Sequence, residues 1–460
     1  MRKKVRKWWL RIDLEQIFTF GIKTNVAQRQ VALGYLSYIL IGTALLCLPF
    51  ATQNGTGFMD NLFSATSAIS TTGLSTVVTA DGYTLFGQII ILLLVQIGGL
   101  GYMTMSSFVM YNMTRHFMRI KNGVMRAEFS MPEGIKVHTM VQSIVYFTFI
   151  FEVLGAVALY FIFSHAGAPA PAWAAVFHSV SAFCTAGFST FSNGLENFSD
   201  NWGITIVIST LSYAGAMGFI VMHDLWNKIR KGRNHQITFT TKVIMTITIL
   251  ISVLGIAQLM CLEPMIQDMP LSEKFQVSLF QTMSAMTTVG FNTVPLSGFM
   301  AASLMVLVFV MYIGASPSGT GGGLKSTTAS AVYAYVRSKL SGERDVTLNG
   351  HRLPTFRVDS ALTTFAFYTS ILFFGFYLLT ITEVDITTDK LLFEAASALG
   401  TVGLTAGVTS SLSTIGQLIV IILMYIGRIG VITFGVAMLT RMAKKGPNEI
   451  NAPKDNDIAI

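Results

Sequence analysis

The chain has 460 residues, of which 52% are hydrophobic and only 12% charged, with a formal net charge of +8. Soluble domains carry roughly 25% charged residues, and here the apolar residues come in long runs instead of narrow stripes, which excludes an ordinary soluble fold. The basic balance does not point to nucleic acid, because the charges cluster in alternate loops between the apolar runs.

Residues 1–30 are basic, with Trp8, Trp9, Phe18 and Phe20 among the Lys and Arg. This pattern predicts a short helix at the membrane surface, and the absence of an apolar h-region argues against a signal peptide. Apolar runs follow at 31–50, 88–111, 139–163, 203–222, 242–261, 359–382 and 414–439. One more, 301–313, is cut by a Gly-rich segment and resumes at 327–336. Each is about long enough to cross a bilayer, so eight transmembrane spans are expected. All but four of the 31 Lys and Arg lie in 1–30, 112–138, 223–242, 337–358 and 440–460. In an eight-span chain these segments share one side, which places both termini in the cytoplasm of a multi-pass plasma-membrane protein. The exceptions are Lys274 and Lys390 in the opposite loops, and Lys325 and Arg428 at membrane depth.

Between the spans, one motif recurs four times. Leu-Phe-Ser-Ala-Thr-Ser-Ala-Ile-Ser-Thr-Thr-Gly at 62–73 aligns with stretches at 176–187, 279–290 and 392–403. Columns of Phe (Phe63, Phe177, Phe280, Phe393), Ser (Ser67, Ser181, Ser284, Ser397) and Ala (Ala68, Ala182, Ala285, Ala398) agree throughout. So do columns of Thr (Thr71, Thr185, Thr288, Thr401) and Gly (Gly73, Gly187, Gly290, Gly403). A further glycine, Gly98, Gly215, Gly314 or Gly427, follows 24 to 28 residues later. Such a period marks internal repeats. They divide the chain into a basic N-terminus at 1–30, repeats at 31–121, 122–233, 234–345 and 346–445, and a cytoplasmic tail at 446–460.

Each repeat reads as span, half-helix, Thr-x-Gly turn, span. The half-helix from 63 to 70 makes about two turns, too short to cross. It must re-enter, and irregular backbone at membrane depth is tolerated only where protein or water satisfies it. The expected fold is therefore all-α, with four re-entrant loops on a pseudo-fourfold axis around one pore. Rings of backbone carbonyls from Thr71, Thr72 and Gly73, Thr185, Ala186 and Gly187, Thr288, Val289 and Gly290, and Thr401, Val402 and Gly403 could replace a cation's hydration shell. Glycine removes the Cβ that would crowd such a ring. The bland alternative, a tight turn between helices, suits one Thr-x-Gly better than four aligned copies.

On these residues, over about 31–440, the chain resembles the Trk/Ktr/HKT superfamily of K⁺ transporters, most closely the Ktr-type (KtrB-like) membrane subunit. The resemblance implies that Gly73, Gly187, Gly290 and Gly403 define a selectivity filter. Glycine at all four positions resembles the K⁺-selective members, and Na⁺-selective relatives often carry Ser at the first. It also implies that 314–328 is an intramembrane gate, with Gly314, Pro317, Gly319, Gly321, Gly322, Gly323 and Lys325 its key residues, and that Arg428 faces the pore. Pro317 and the glycines would break a helix in any case. By resemblance the protein is a homodimer docked on a cytoplasmic, nucleotide-binding regulatory ring of the RCK type.

Other residues have blander readings. Arg428 could pair with Glu152, buried in an apolar run. Lys325 could snorkel to the interface. The Gly319–Ser326 stretch fails the phosphate-loop spacing, because Leu324 separates Gly323 from Lys325. Cys47, Cys184 and Cys261 form no CxxC, and no HExxH or Ser elbow occurs. No cofactor is expected beyond the transported K⁺. Na⁺ transport or Na⁺-coupled K⁺ transport is the nearest alternative, and a membrane enzyme with incidental re-entrant loops the more distant one.

Overall fold

The computed structural model describes residues 27–53, 55–101, 137–232, 236–317 and 319–439. The basic N-terminal segment with Trp8 and Trp9, and the tail at 446–460, lie outside the described residues.

Described regular structure is helical apart from a two-stranded ribbon, β1 (Thr347–Leu348) and β2 (His351–Arg352). In chain order come α1 (Ala27–Leu46), α2 (Phe58–Ile69), α3 (Leu85–Leu100), α4 (Val137–His165), α5 (Pro171–Phe183) and α6 (Trp202–Lys231). Then follow α7 (Phe239–Leu262), α8 (Leu271–Thr287), α9 (Ala301–Tyr312), α10 (Ser326–Leu340), α11 (Thr355–Thr382) and α12 (Thr388–Leu399). The last two are α13 (Thr414–Ile429) and α14 (Val431–Leu439). Among the described residues, five helices are long and apolar enough to cross a membrane, or six if α13 and α14 count as one bent span. The helices α3 and α9 are apolar but shorter, and the predicted span at 88–111 runs past residue 101, out of the described region.

Burial follows from this composition. Tyr146, Phe149, Ile150, Val153, Leu154, Val157 and Phe161 of α4 are exposed and recur at helical spacing. A wide apolar face left open suits hydrocarbon, where exposed Leu or Phe costs nothing. The short helices α2, α5, α8 and α12 are instead enclosed, and Phe63, Phe177, Phe280 and Phe393 are all 0% exposed. They are longer than the two turns expected, with 12, 13, 17 and 12 residues, because each begins well before its Phe.

The packing runs in a cycle. Helix α3 packs on α5, α6 on α8, α9 on α12, and α13 returns to α2. The cycle is sealed where α14 packs on α1, and the Tyr425 hydroxyl donates to the Ala32 carbonyl at 2.7 Å.

The run 414–439, read as one continuous span, is broken. Gly430 at φ +84° separates α13 from α14, which meet at 100°. Gly101 ends α3 at φ +79°, and Gly218 kinks α6 at φ +73°. Each break stands three residues after Gly427, Gly98 or Gly215, and in the remaining quarter Pro317 stands three after Gly314. There the interruption widens into the whole segment between α9 and α10.

Candidate functional site

The four short helices end alike. In α2 the Thr71 N–H donates to the Ala68 carbonyl at 3.1 Å and the Thr72 N–H to the Ser67 carbonyl at 2.9 Å. Thr185 and Ala186 after α5, and Thr401 and Val402 after α12, repeat the pair, and Val289 bonds Ser284 after α8. This is a Schellman C-cap, which asks for a left-handed residue at the position after the cap and normally takes Gly or Asn. Here the residue is threonine: Thr71, Thr185, Thr288 and Thr401 have φ of +52°, +51°, +58° and +47°. A β-branched residue in that region is an outlier and costs on the order of 1–3 kcal/mol, so the four threonines mark a shared constraint. In the first and fourth loops the column serine completes the cap, Ser67 and Ser397 accepting the N–H of Gly73 and Gly403 through Oγ at 3.0 and 3.1 Å.

The glycines come together in a ring. A Cβ on Gly73 would strike the Ala186 carbonyl oxygen, one on Gly187 that of Val289, one on Gly290 that of Val402, and one on Gly403 that of Thr72. The same four Cβ atoms would lie 3.1, 3.2, 2.9 and 3.1 Å from the Cα of Gly187, Gly290, Gly403 and Gly73 in turn. Each loop thus leans on the next in one rotational sense, and the fourth closes on the first. All four glycines also have positive φ, from +67° to +96°. Any side chain here is opposed twice, by backbone torsion and by a neighbouring carbonyl.

The interrupted segment between α9 and α10 lies against the threonines. Thr185 Oγ1 and Thr320 Oγ1 are 3.1 Å apart, and Thr320 Oγ1 also donates to the Phe183 carbonyl at 3.2 Å. The Gly322 N–H donates to Thr288 Oγ1 at 2.9 Å, and a Cβ on Gly322 would strike Thr401 Oγ1. Gly319 abuts the Ala216 carbonyl and Gly314 abuts Gly322, so these glycines are demanded by close backbone approach. The segment is also pinned by the Thr320 N–H to Gly215 and the Ser316 N–H to Ala216, at 3.0 and 3.2 Å. Pro317 sits at the turn that follows.

Arg428 and Lys325 both bind this segment. Arg428 donates through Nη1 to the Thr320 carbonyl at 2.6 Å and to Thr71 Oγ1 at 2.9 Å, and through Nη2 to the Gly98 carbonyl. It therefore touches the one threonine that the segment does not. A pairing of Arg428 with Glu152 is not what the structure shows: Glu152 accepts from Gln96 Nε2 at 3.2 Å and faces Cys184 Sγ at 3.8 Å. Lys325 folds back and donates to the Gly321 carbonyl at 2.6 Å, so its ammonium does not snorkel away. Among the described residues no group of His, Cys, Asp and Glu could hold a metal ion.

The four ring glycines and their threonines thus adjoin Gly314, Gly319, Gly321, Gly322, Gly323 and Arg428, with Gly73, Gly187, Gly290, Gly319, Gly323, Lys325 and Arg428 only half-buried. Sequence reasoning missed the torsion of the threonines, the helix breaks at Gly101, Gly218 and Gly430, and Thr320. A cue for the breaks was available, since Gly or Pro recurs three residues after each second-column glycine.

Comparison with known proteins agrees over nearly the whole length. The family described as TrkH, Cation transport protein, matches residues 8–447. Ktr system potassium uptake protein B of Vibrio alginolyticus is 33% identical over 436 residues, covering 93% of each chain. Potassium/sodium uptake protein NtpJ of Enterococcus hirae is 32% identical over 429 residues, covering 91% of this chain and 94% of its own. The crystal structure of the potassium transporter TrkH from Vibrio parahaemolyticus superposes with a TM-score of 0.68 at 19% identity, over 95% of this chain and 86% of that one. At that identity the superposition speaks for the fold alone. The all-α membrane architecture, the ring of four loops and a family match spanning nearly every residue lead to one assignment: this chain belongs to the TrkH family of cation transport proteins.

Proposed function

We propose that the chain takes up K⁺ across the plasma membrane through a single pore at the centre of its four loops. The carrying observation is the closed contact order of the glycines, Gly73 to Gly187 to Gly290 to Gly403 and back. A ring of that kind presents carbonyl groups of Thr72, Ala186, Val289 and Val402 at one level, the chemistry that substitutes for ion hydration. Thr71, Thr185, Thr288 and Thr401 supply further oxygens beneath. An eight-span arrangement of repeats at 31–121, 122–233, 234–345 and 346–445, with both termini in the cytoplasm, supplies four such loops and the charge bias noted above.

In this reading 314–328 is the gate. Its contacts with three threonines, and that of Arg428 with the fourth, hold it directly against the ring. Opening requires releasing Thr320 from Arg428 and Gly322 from Thr288. The ion moves inward with the membrane potential, worth about 2.3 kcal/mol per charge per 100 mV. The relatives named as uptake protein B of a Ktr system favour control by a separate regulatory subunit. A homodimer on a cytoplasmic nucleotide-binding ring is part of this proposal.

Rubidium uptake by a K⁺-uptake-deficient bacterium expressing the chain, with K⁺ or Na⁺ as competitor and with Gly290→Ser beside the wild type, tests the reading. K⁺ should compete strongly and Na⁺ weakly, and Gly290→Ser should erase the difference. Equal competition in the wild type would favour the second reading, Na⁺ or Na⁺-coupled K⁺ transport, for which the resemblance to the potassium/sodium uptake protein speaks.

A further inference from the structure

Beyond the ring, each loop climbs outward, and a side chain of its own short helix holds that outer limb. In the first loop Asp60 Oδ1 accepts from Thr76 Oγ1 at 2.7 Å. In the second, His178 Nε2 and Ser189 Oγ are 2.9 Å apart, and because His178 Nδ1 must donate to the Ala174 carbonyl, Nε2 accepts. In the third, Gln281 Nε2 donates to Thr293 Oγ1 at 3.3 Å. In the fourth, Glu394 accepts from Thr405 Oγ1 at 2.9 Å and from Thr409 Oγ1 at 2.5 Å. The partner stands two or three residues beyond the glycine in every loop.

His178, Gln281 and Glu394 occupy one register, directly after the buried Phe, and all are 0% exposed. Ser64 holds that register in the first loop, where Asp60, one turn earlier, makes the contact instead. The chemistry differs in each quarter while the mechanical role stays. Glu394 makes the most extensive of these ties: its two hydroxyl donors are themselves 2.9 Å apart, and Thr405 Oγ1 also receives the N–H of Gly407 and Val408 at 3.2 and 3.3 Å. The limb just past Gly403 is thereby fixed to α12 through one carboxyl group.

We propose that Glu394 is a positioning residue for ion selectivity, setting through Thr405 the place of Gly403 in the ring. This rests on the uptake reading above. Gly403 contacts both Gly290 and Gly73, so a shift of its limb alters two of the four ring contacts. Discrimination between ions that differ only in size responds to such shifts more than the bulk rate does.

The test uses the full-length chain in the same uptake-deficient cells, with membrane abundance quantified and the Rb⁺-to-Na⁺ uptake ratio as the readout. Glu394→Ala and Thr405→Val each remove one hydrogen-bonding partner of the tie, and the ratio should fall by about tenfold in each. The double variant should fall no further than the worse single one, because both changes cut one tie. Glu394→Gln keeps an acceptor oxygen and should hold the ratio within about twofold of wild type. A lower rate at an unchanged ratio would reduce Glu394 to a structural role and overturn the inference. Should Glu394→Ala fail to reach the membrane, the near-isosteric Thr405→Val decides by the same criterion. Wild-type cells without Rb⁺ uptake would defeat the uptake reading and this inference with it, whereas normal wild-type selectivity retained in Thr405→Val defeats the inference alone.

Discussion

Helices α6 and α9 begin alike and end differently. Both run from the loop beyond the ring glycine to a second glycine, Gly215 within α6 or Gly314 just past the end of α9. At Gly218 the first absorbs one left-handed residue and continues as helix to Lys231. The second meets Pro317 at the matching place and does not resume until Ser326. The same break in the same register is a kink in one quarter and a long non-helical segment in another. Where both sides of the break are described, two quarters keep their second helix kinked or sharply bent, at Gly218 and Gly430, whereas the third repeat lays its interruption against the ring.

The largest effect should come from striking what the quarters share. Gly403→Ala sets a methyl group against the Thr72 carbonyl at φ +92°. K⁺ uptake should be lost or its preference over Na⁺ collapse, by tenfold or more if the clash and torsion together cost about 2–3 kcal/mol. Gly187→Ala should do the same, and a mild phenotype at either, measured as Rb⁺ uptake under Na⁺ competition, would break the equivalence of the quarters. Next comes the feature peculiar to one quarter. Arg428→Gln weakens three charge-assisted hydrogen bonds, two of them to Thr320 and Thr71. If the segment is the gate, the uptake rate should rise by about tenfold, since hydrogen bonds to charged groups are worth about 1.5–3 kcal/mol. A fall in rate with intact folding would assign Arg428 to conduction instead.

A smaller rise, about threefold, is expected for Lys325→Met, which removes one close ammonium–carbonyl bond within the segment and keeps the apolar stem. The least effect belongs to the loops beyond the ring. Glu196 accepts from Asn292 Nδ2 at 2.7 Å, reaching from one quarter to the next. Burial raises its carboxyl pKa, partly opposed by the Asn292 bond. Glu196→Gln should lower uptake by less than about twofold at physiological salt and by more at low salt, where surface charge is less screened. A salt-independent loss would mean that the contact matters as a structural strut.

The repeats were legible because their columns carry residue types with one physical job each. Phe63 and its counterparts fill an enclosed core, Ala68 and its counterparts allow close packing, and Gly73 and its counterparts admit a neighbouring carbonyl. The interrupted segment was legible from Pro317 and the glycines after it. What could not be read was conformation that contradicts propensity. Nothing in a Thr-x-Gly string says that the threonine takes the left-handed torsion ahead of the glycine, because an isolated chain would assign that torsion to the glycine alone. Long-range pairing was equally hidden. Glu152 and Arg428 looked like natural partners by charge, yet Gln96 and Cys184 stand nearer to Glu152, and Arg428 is taken up by carbonyls and a hydroxyl. The ties from Asp60, His178, Gln281 and Glu394 escaped notice because that chemistry varies from quarter to quarter, and an alignment built on identity passes over it.

That variation has a consequence for how the molecule can change over time. In a homotetramer every substitution lands four times at once, and the vertices of the central ring move together. Here the ring is drawn from one polypeptide, in which the equivalent positions Thr72, Ala186, Val289 and Val402 already hold three different residue types. A mutation therefore adjusts one vertex while three hold their shape, and selection can explore a lopsided ring in steps smaller than any a homotetramer allows.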